Sequence, residues 1–396
     1  MQFTPLDKKA RAEWQELLRP ANATHISAAA ILFLSSALAL PLCASEAVAG
    51  LYLLYAAVFY YMLTHSMWAV VAVAIPGVAL FGVSALVPTL PHPFLMPAVY
   101  AALILGGIGG GFLLIHCCEK KYLPLLLLPV AAYVIVALTA SPLKALLVLI
   151  PVALSLILGH GILTCRPQTP VLICLAGALA AFGVLAYLIW YWLFSHIPFP
   201  APGPFTYLGV SVRDAMSAFY RNAAELYAQQ GMVLALSETD IANLAAMVGN
   251  ILPGLFLAGC GILAFVTYRI NLRVLNAWGT LTRVPLRIGA MTVSPTAAAL
   301  FVVSYLLATI AGNGLFATVC ENLALVLEPA LVLVGVSALL ARDAQRRSTL
   351  SLILLVGLAI LLLNYPTLAL ALFAFVGAVR ILLAAALSAR AKDGRK

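Results

Sequence analysis

Long apolar stretches, separated by short polar or proline-containing loops, follow one another along almost the whole chain. A helix needs about 20 apolar residues to cross the hydrocarbon core of a bilayer, and the stretches reach or approach this length. The pattern predicts an all-α protein, a polytopic transmembrane helical bundle of about twelve spans. We place these spans at residues 26–43, 47–64, 67–87, 95–117, 122–139, 143–165, 170–195, 240–268, 293–312, 314–341, 349–364 and 366–388.

Basic residues give these spans an orientation. Lys and Arg concentrate in the cytoplasmic loops of membrane proteins. When both termini are placed in the cytoplasm, only three of the 22 Lys and Arg residues fall outside, and these are Lys144, Arg213 and Arg221. Removing one span from the count would scramble this partition. We therefore predict an even number of spans and two cytoplasmic termini.

One long segment, predicted to lie outside the membrane, divides the spans into two groups. It has no counterpart of similar length elsewhere between the spans. The chain accordingly divides into five parts: an interfacial amphipathic helix on the cytoplasmic side (1–24), a seven-span part (25–195), the extracytoplasmic loop (196–239), a five-span part (240–388) and a basic cytoplasmic tail (389–396).

The extracytoplasmic loop contains an amphipathic helix of its own. The prolines of "HIPFPAPGPF" exclude a regular helix at the start of the loop. After them, Val212, Met216 and Phe219 recur at helical spacing and define one apolar face. We expect this helix to lie on the outer membrane surface or to cap the bundle. "SETD" at Ser237–Asp240 has the form of a capping box that opens the eighth span.

Composition and charge fit this class of protein. Hydrophobic residues make up 64% of the chain, and the mean hydropathy is +1.09. The net charge of +9 comes from Lys and Arg in short loops, so it indicates orientation rather than nucleic-acid binding. The predicted partner is the lipid bilayer, with no nucleic acid. The predicted location is the cell's inner or plasma membrane, crossed several times.

No sequence motif for catalysis or cofactor binding occurs. The glycine-rich stretch "LGGIGGGF" at Leu105–Phe112 lies inside a span and has no Lys followed by Ser or Thr. We interpret its glycines as sites of close helix packing, not of phosphate binding. His116, Cys117 and Cys118 are consecutive, and neighbouring residues of a helix point about 100° apart, which disfavours a shared metal ion. We predict no enzymatic activity, no cofactor and no metal site.

Two carboxylates lie within the tenth predicted span. Ionisable residues inside a membrane are costly and usually face the bundle interior or a wet cavity. Glu321 and Glu328 are seven residues apart, so they share one helix face and are stacked two turns apart. Pro329 has no N–H for the carbonyl of Leu325, which leaves a free acceptor beside Glu328. This pattern indicates a polar site inside the bilayer.

Polar residues of neighbouring spans complete this candidate site. The candidate ligand- or ion-binding residues are Glu328, Glu321, Asn322, Asn250 and His160. Two interpretations of Glu328 stay open: it binds a proton, a cation or a polar ligand, or it is a neutral side chain that holds two helices together. Arg380 lies near the cytoplasmic end of the last span, where snorkelling to the interface explains it.

The C-terminal spans also resemble a known family. "NILPGLFLAGCGILAFVTYRINLRVL", "SPTAAALFVVSYLLA" and "ENLALVLEPALVLVGVSALLAR" are similar to stretches of the YybS-like bacterial membrane proteins, which share a domain of unknown function. That family is distantly similar to the substrate-binding components of energy-coupling-factor vitamin transporters, and to a rod-shape membrane protein family. The first similarity implies capture of a small molecule. The second implies scaffolding of envelope machinery.

Two functions from different classes follow. The leading hypothesis is a bacterial small-molecule binding or uptake component, with its site between the sixth, eighth and tenth spans and with Glu328 at its centre. The alternative is a non-catalytic membrane subunit or scaffold that binds other membrane proteins through the segments 196–239 and 269–287. Since no ATPase motif occurs, transport would use an ion gradient or ATPase subunits supplied by other proteins.

Overall fold

The described part of the computed structural model is almost wholly helical. It comprises residues 22–42, 45–64, 70, 74, 77–78, 80–82, 92–116, 124–125, 127–164, 166–194, 203–229, 237–279, 293–312, 314–345 and 366–393. Within these ranges no strand occurs, which confirms the all-α class. The helices are α1 (Ala23–Leu42), α2 (Glu46–Thr64), α3 (Leu95–His116), α4 (Leu128–Thr139), α5 (Pro142–Ala145), α6 (Leu149–Leu163), α7 (Gln168–Phe194), α8 (Pro204–Gln229), α9 (Glu238–Ala277), α10 (Pro295–Ala311), α11 (Leu315–Gln345) and α12 (Pro366–Asp393). The 3-10 turn Leu146–Val148 joins α5 to α6.

Seven helical segments of the described chain are long and apolar enough to cross a membrane. They lie in α1, α3, the continuous run from α5 to α6, α7, α9, α11 and α12. The apolar helices α2, α4 and α10 are shorter. Ten of the twelve predicted spans thus coincide with a described helix, which is consistent with a polytopic membrane protein. Most of predicted span 67–87 and all of 349–364 lie outside the described residues, as does most of the predicted N-terminal helix. The count of twelve and the orientation stay predictions.

The ends of α9 show which local signals the sequence carries. The Ser237 hydroxyl accepts the backbone N–H of Asp240, and the Asp240 carboxylate accepts the backbone N–H of Ser237, which confirms the capping box. At its other end α9 continues nine residues beyond the predicted boundary, to Ala277. The reason is that no helix breaker intervenes before Gly279, whose φ of 67° ends the helix in the left-handed region.

Contacts between residues divide the chain into two compact units. The first comprises Met1–Ala245 and Leu263–Ala290, and the second comprises Ala246–Ile262 and Met291–Lys396. Helix α9 contributes to both. The five-part division predicted from the sequence concerns membrane spans, and these units do not test it.

Helix α3 forms the centre of the first unit, packed between α1 and α6. Its glycines allow this close packing. A methyl group at Gly109 would come within 2.7 Å of the Ala29 carbonyl oxygen, and one at Gly106 would come within 3.0 Å of the Pro151 side chain. Glycine-dependent packing of this kind was the predicted role of "LGGIGGGF". Serine–tyrosine hydrogen bonds, such as Ser36 to Tyr52 at 2.9 Å, fasten α2 to α1.

The second unit is built on α10, α11 and α12, with residues 246–262 of α9. Phe301 of α10 is fully buried and packs edge-to-face on Phe375 of α12. The backbones of α11 and α12 cross in close contact at Gly335 and Gly377, and a methyl group on either glycine would overlap a backbone carbonyl of the other helix. This crossing holds α11, which carries Glu321 and Glu328, against α12.

Helix α8 is an amphipathic helix within the segment 196–239, whose location outside the membrane stays a prediction. It begins at Pro204, inside the proline-rich stretch that was predicted to be irregular, because proline is well tolerated in the first helical turn. Its apolar residues share one side of the helix, and Arg213, Asp214 and Arg221 lie on the other. No described side chain of α8 is fully buried.

Candidate functional site

The two predicted carboxylates lie on α11, which runs without interruption through Pro329. Both Glu321 and Glu328 are half-buried. Neither has an ion pair or a hydrogen bond to another described residue. Pro329 cannot donate to the carbonyl of Leu325, one turn earlier, so that oxygen has no helical partner. The helix therefore places a carboxylate and a backbone acceptor in the same turn.

Asn322, next to Glu321, makes three hydrogen bonds. Its side-chain amide nitrogen donates to the backbone oxygen of Asn250 (2.9 Å) and to that of Thr318 (2.8 Å). Its side-chain oxygen accepts the backbone N–H of Gly254 (2.5 Å). These bonds use both polar atoms of the amide, and two of them join α11 to α9. Asn322 is therefore a bridge between two helices.

The position of this bridge on α9 is distinctive. The N–H of Gly254 and the carbonyl of Asn250 are four residues apart and would bond to each other in an ordinary helix. The Asn322 amide bonds to both groups, so its side chain lies against this step of the α9 hydrogen-bond ladder. The neighbouring Pro253 lacks an N–H and leaves the carbonyl of Gly249 without a helical donor. A methyl group at Gly254 would approach the Asn322 Cα to 2.9 Å, so glycine is required for this contact.

Glu328 does not share this face of α11. At about 100° per residue, Asn322 and Glu328 are separated by about 120° around the helix axis. Glu328 instead lies in line with Gly335, seven residues later, where α11 packs against α12. Asn322 thus contacts α9, whereas Glu321 and Glu328 lie on the side of α11 that packs against α12 at Gly335. The amide and the carboxylates are two separate polar features of one helix.

The side chains of the other candidate residues take no part in the hydrogen bonds of Asn322. Asn250 contributes its backbone oxygen, and its side chain is exposed. His160 belongs to the first unit, where its side chain is exposed. Arg380 of α12 is exposed and forms no ion pair with Glu328 within the described structure. Among all the residues that the structure describes, no three His, Cys, Asp or Glu side chains are grouped as metal ligands would be.

Sequence reasoning did not identify Gly254 and Thr318, the other partners of Asn322. A signal for Gly254 was available, because a Pro-Gly pair inside an apolar span marks a weak point in a helix to which a polar side chain can bond.

The Glu328 carboxylate and the Leu325 carbonyl together offer an oxygen-lined position that suits a proton, an ammonium group or a hydroxyl group.

Comparison with known proteins places the chain in a family. No curated protein and no solved structure matches it. The model of the DUF2232 family, described as predicted membrane proteins, matches residues 114–377, about two thirds of the chain. This region extends from the end of α3 into α12 and includes Glu321, Asn322 and Glu328. The chain belongs to the DUF2232 family of predicted membrane proteins.

Proposed function

We propose that this protein is a membrane-embedded component that binds a small polar or cationic molecule for uptake, with Glu328 as the central binding residue. The observation that carries the proposal is the state of Glu328. It is a half-buried carboxylate in a membrane-spanning helix, and no described cation or hydrogen-bond donor satisfies it. An ionisable group kept inside a membrane at such cost is by default a functional group.

A ligand at Glu328 would have a second acceptor available. The carbonyl of Leu325 is released by Pro329 and lies in the same helical turn as the carboxylate. Interrupted hydrogen-bond ladders in membrane helices expose backbone groups that bind substrates and ions in many transporters. The Asn322 bridge serves this site indirectly, because it fixes α11 against the proline-containing part of α9.

The family resemblance supports the same proposal. The resemblance of the C-terminal stretches to YybS-like proteins, which the sequence alone suggests, would favour capture of a small molecule as in vitamin-binding transporter components. No ATPase motif occurs in the chain, so uptake would depend on a separate ATPase pair or on an ion gradient.

The first test is mass spectrometry of the tagged protein, purified gently from its own host membrane. Recovery of a cytoplasmic ATPase pair in fixed stoichiometry is the expected result. Stoichiometric recovery of a different membrane protein without ATPases would contradict the uptake proposal and favour a role as a subunit.

The second test compares Glu328→Gln with Glu225→Gln, the same chemical change at an exposed carboxylate of α8. Thermal stability of the purified protein is measured with a panel of water-soluble vitamins, each at several pH values. We expect one compound to stabilise the wild type and Glu225→Gln but not Glu328→Gln. Equal stabilisation of both variants, or none of the wild type, would count against a binding role for Glu328.

A second candidate function is that of a membrane subunit or scaffold, favoured by one observation. Helix α8 presents an amphipathic surface on which no described side chain is fully buried. Deletion of residues 205–234 should then dissolve a complex that the full chain forms. A complex that survives the deletion would exclude docking through this segment.

A further inference from the structure

A fully buried asparagine lies where α3, α6 and α9 meet in the first unit. Asn271 of α9 has an exposed fraction of 0%. Its side-chain nitrogen lies 3.7 Å from the position that a methyl group on Gly111 of α3 would occupy. The backbone nitrogen of Gly159 in α6 lies 3.8 Å from the same position. Three helices therefore surround one point, and the amide of Asn271 is next to it.

The amide of Asn271 needs hydrogen bonds that the protein does not supply. Neither of its polar atoms has a hydrogen-bond partner within the described structure. Buried polar groups are almost always bonded, either to protein or to ordered water. The hydroxyls of Ser155 and Thr267, which adjoin the same glycine stretch, do bond to backbone oxygens of their own helices. The unmet requirement is therefore a property of Asn271 and not of every polar side chain in this region.

Glycine at position 111 leaves room beside this amide for one small molecule. The atom nearest to the position of a methyl group there is the Leu158 Cβ, at 3.3 Å, and a water oxygen is smaller than a methyl group. A methyl group on Gly110 would instead overlap the Ser155 hydroxyl. A buried water needs such a space and two to four polar partners. The Gly111 carbonyl oxygen faces Gly159 at this junction, and a carbonyl has a second lone pair to offer.

We propose that Asn271 binds an internal water molecule in the space beside Gly111. The water accepts a hydrogen bond from the side-chain N–H of Asn271 and donates one to the Gly111 carbonyl oxygen, and so links α9 to α3. Water both donates and accepts, which matches the two kinds of polar atom in an amide. The site belongs to the first unit and is independent of the function proposed for Glu328 in the second, so each can fail without the other.

The first test is X-ray radiolytic labelling of the full-length protein in phosphatidylcholine nanodiscs, in water enriched in oxygen-18. Radiolysis of a bound water produces a hydroxyl radical that labels the side chain beside it, even when that side chain is buried. Leu158 and Leu154 of α6 are both fully buried, and only Leu158 adjoins the space beside Gly111. We expect Leu158 to be labelled several-fold faster than Leu154. Equal labelling of the two leucines would overturn the proposal.

The second test is a double-mutant cycle in SDS unfolding. Gly111→Ala fills the space and leaves the Asn271 amide unsatisfied, which should raise the unfolding equilibrium constant about fivefold or more relative to the same change in an Asn271→Leu background. The helix propensity of alanine is the same in both backgrounds and cancels. Gly111→Ala should also abolish the labelling of Leu158. An equal effect of Gly111→Ala in the two backgrounds would refute the site.

Gly107→Ala is the matched control for this cycle. It lies one turn earlier on α3, and a methyl group there would meet neighbours at similar distances, 3.4 and 3.5 Å. All of these neighbours are apolar carbon atoms of Leu154, Leu158 and Thr267. Gly107→Ala should therefore have the same effect with Asn271 and with Leu at that position. Coupling of Gly107→Ala to Asn271→Leu as strong as that of Gly111→Ala would mean that the amide senses general packing, and this would contradict a water site at Gly111.

Discussion

The crossing of α11 and α12 provides a sharp test of how the second unit is held together. Gly335 and Gly377 lie where the two backbones meet. A methyl group on Gly335 would overlap the Phe373 carbonyl oxygen and come within 3.2 Å of the Gly377 nitrogen. A methyl group on Gly377 would overlap the Leu331 carbonyl oxygen. These are backbone atoms, so no rotamer change relieves the overlap and the two helices must move apart.

The magnitude follows from two opposing effects. Forcing a methyl group into a tight contact costs about 1–3 kcal/mol, and more where only backbone can move. Replacing Gly by Ala in a helix gains up to about 1 kcal/mol of helix propensity. We therefore expect Gly335→Ala to lower the free energy of unfolding by about 1–2 kcal/mol. Gly377→Ala should behave alike. The double variant should lose less than the two single losses combined, because both methyl groups separate the same pair of helices.

The measurement is reversible unfolding of the purified protein in SDS, with helicity followed by circular dichroism. Gly259→Ala on α9 is the matched control, because nothing lies within 4 Å of the position of its methyl group. The control should be neutral or more stable than the wild type. If Gly335→Ala were as stable as Gly259→Ala, the close crossing at Gly335 and Gly377 would be refuted.

Three further results are expected. Asn322→Leu removes two hydrogen bonds between α11 and α9, worth about 0.6 kcal/mol each in membranes, and should lower the free energy of unfolding by about 1 kcal/mol in the same SDS assay. Asn250→Leu keeps the backbone oxygen that accepts one of these bonds, and should not lower it. Ser237→Ala removes the acceptor for the Asp240 N–H and should speed its hydrogen exchange about fivefold, measured against an amide in mid-α9; an unchanged rate would contradict the capping box. A polarity-sensitive dye on Met216→Cys should emit at shorter wavelength than the same dye on Asp214→Cys in liposomes, and identical spectra would exclude an interfacial α8.

Features that depend on local sequence were predictable. The helix class, the approximate positions of the helices at ten predicted spans and the cap at Ser237 all follow from short-range patterns of apolar, polar and capping residues. The packing role of the glycine stretch in α3 followed for the same reason, since several glycines close together in an apolar helix have few other uses. These signals require no knowledge of which helices are neighbours.

Features that depend on helix pairing were not predictable. The sequence places Asn322 and Asn250 in two different spans, but nothing in it says that a backbone oxygen, not the Asn250 side chain, would be the partner. The contact between Gly335 and Gly377 was missed because each is a single glycine in its own helix. The end of α9 at Ala277 was also missed, since the apolar pattern stops earlier than the helix does.

The hydrogen bonds of Asn322 change how the candidate site should be understood. Both polar atoms of its side chain are already engaged, so binding a ligand through this amide would require breaking bonds that hold α9 and α11 together. Glu328 forms no hydrogen bond or ion pair with another described residue, and it lies on a different face of the helix. Substitutions of the two residues should therefore separate: those at Asn322 should affect stability first, and those at Glu328 should affect binding without a comparable loss of stability. A stability loss at Glu328→Gln as large as that at Asn322→Leu would instead assign Glu328 to helix packing, and this is the interpretation of the buried carboxylate that competes with binding.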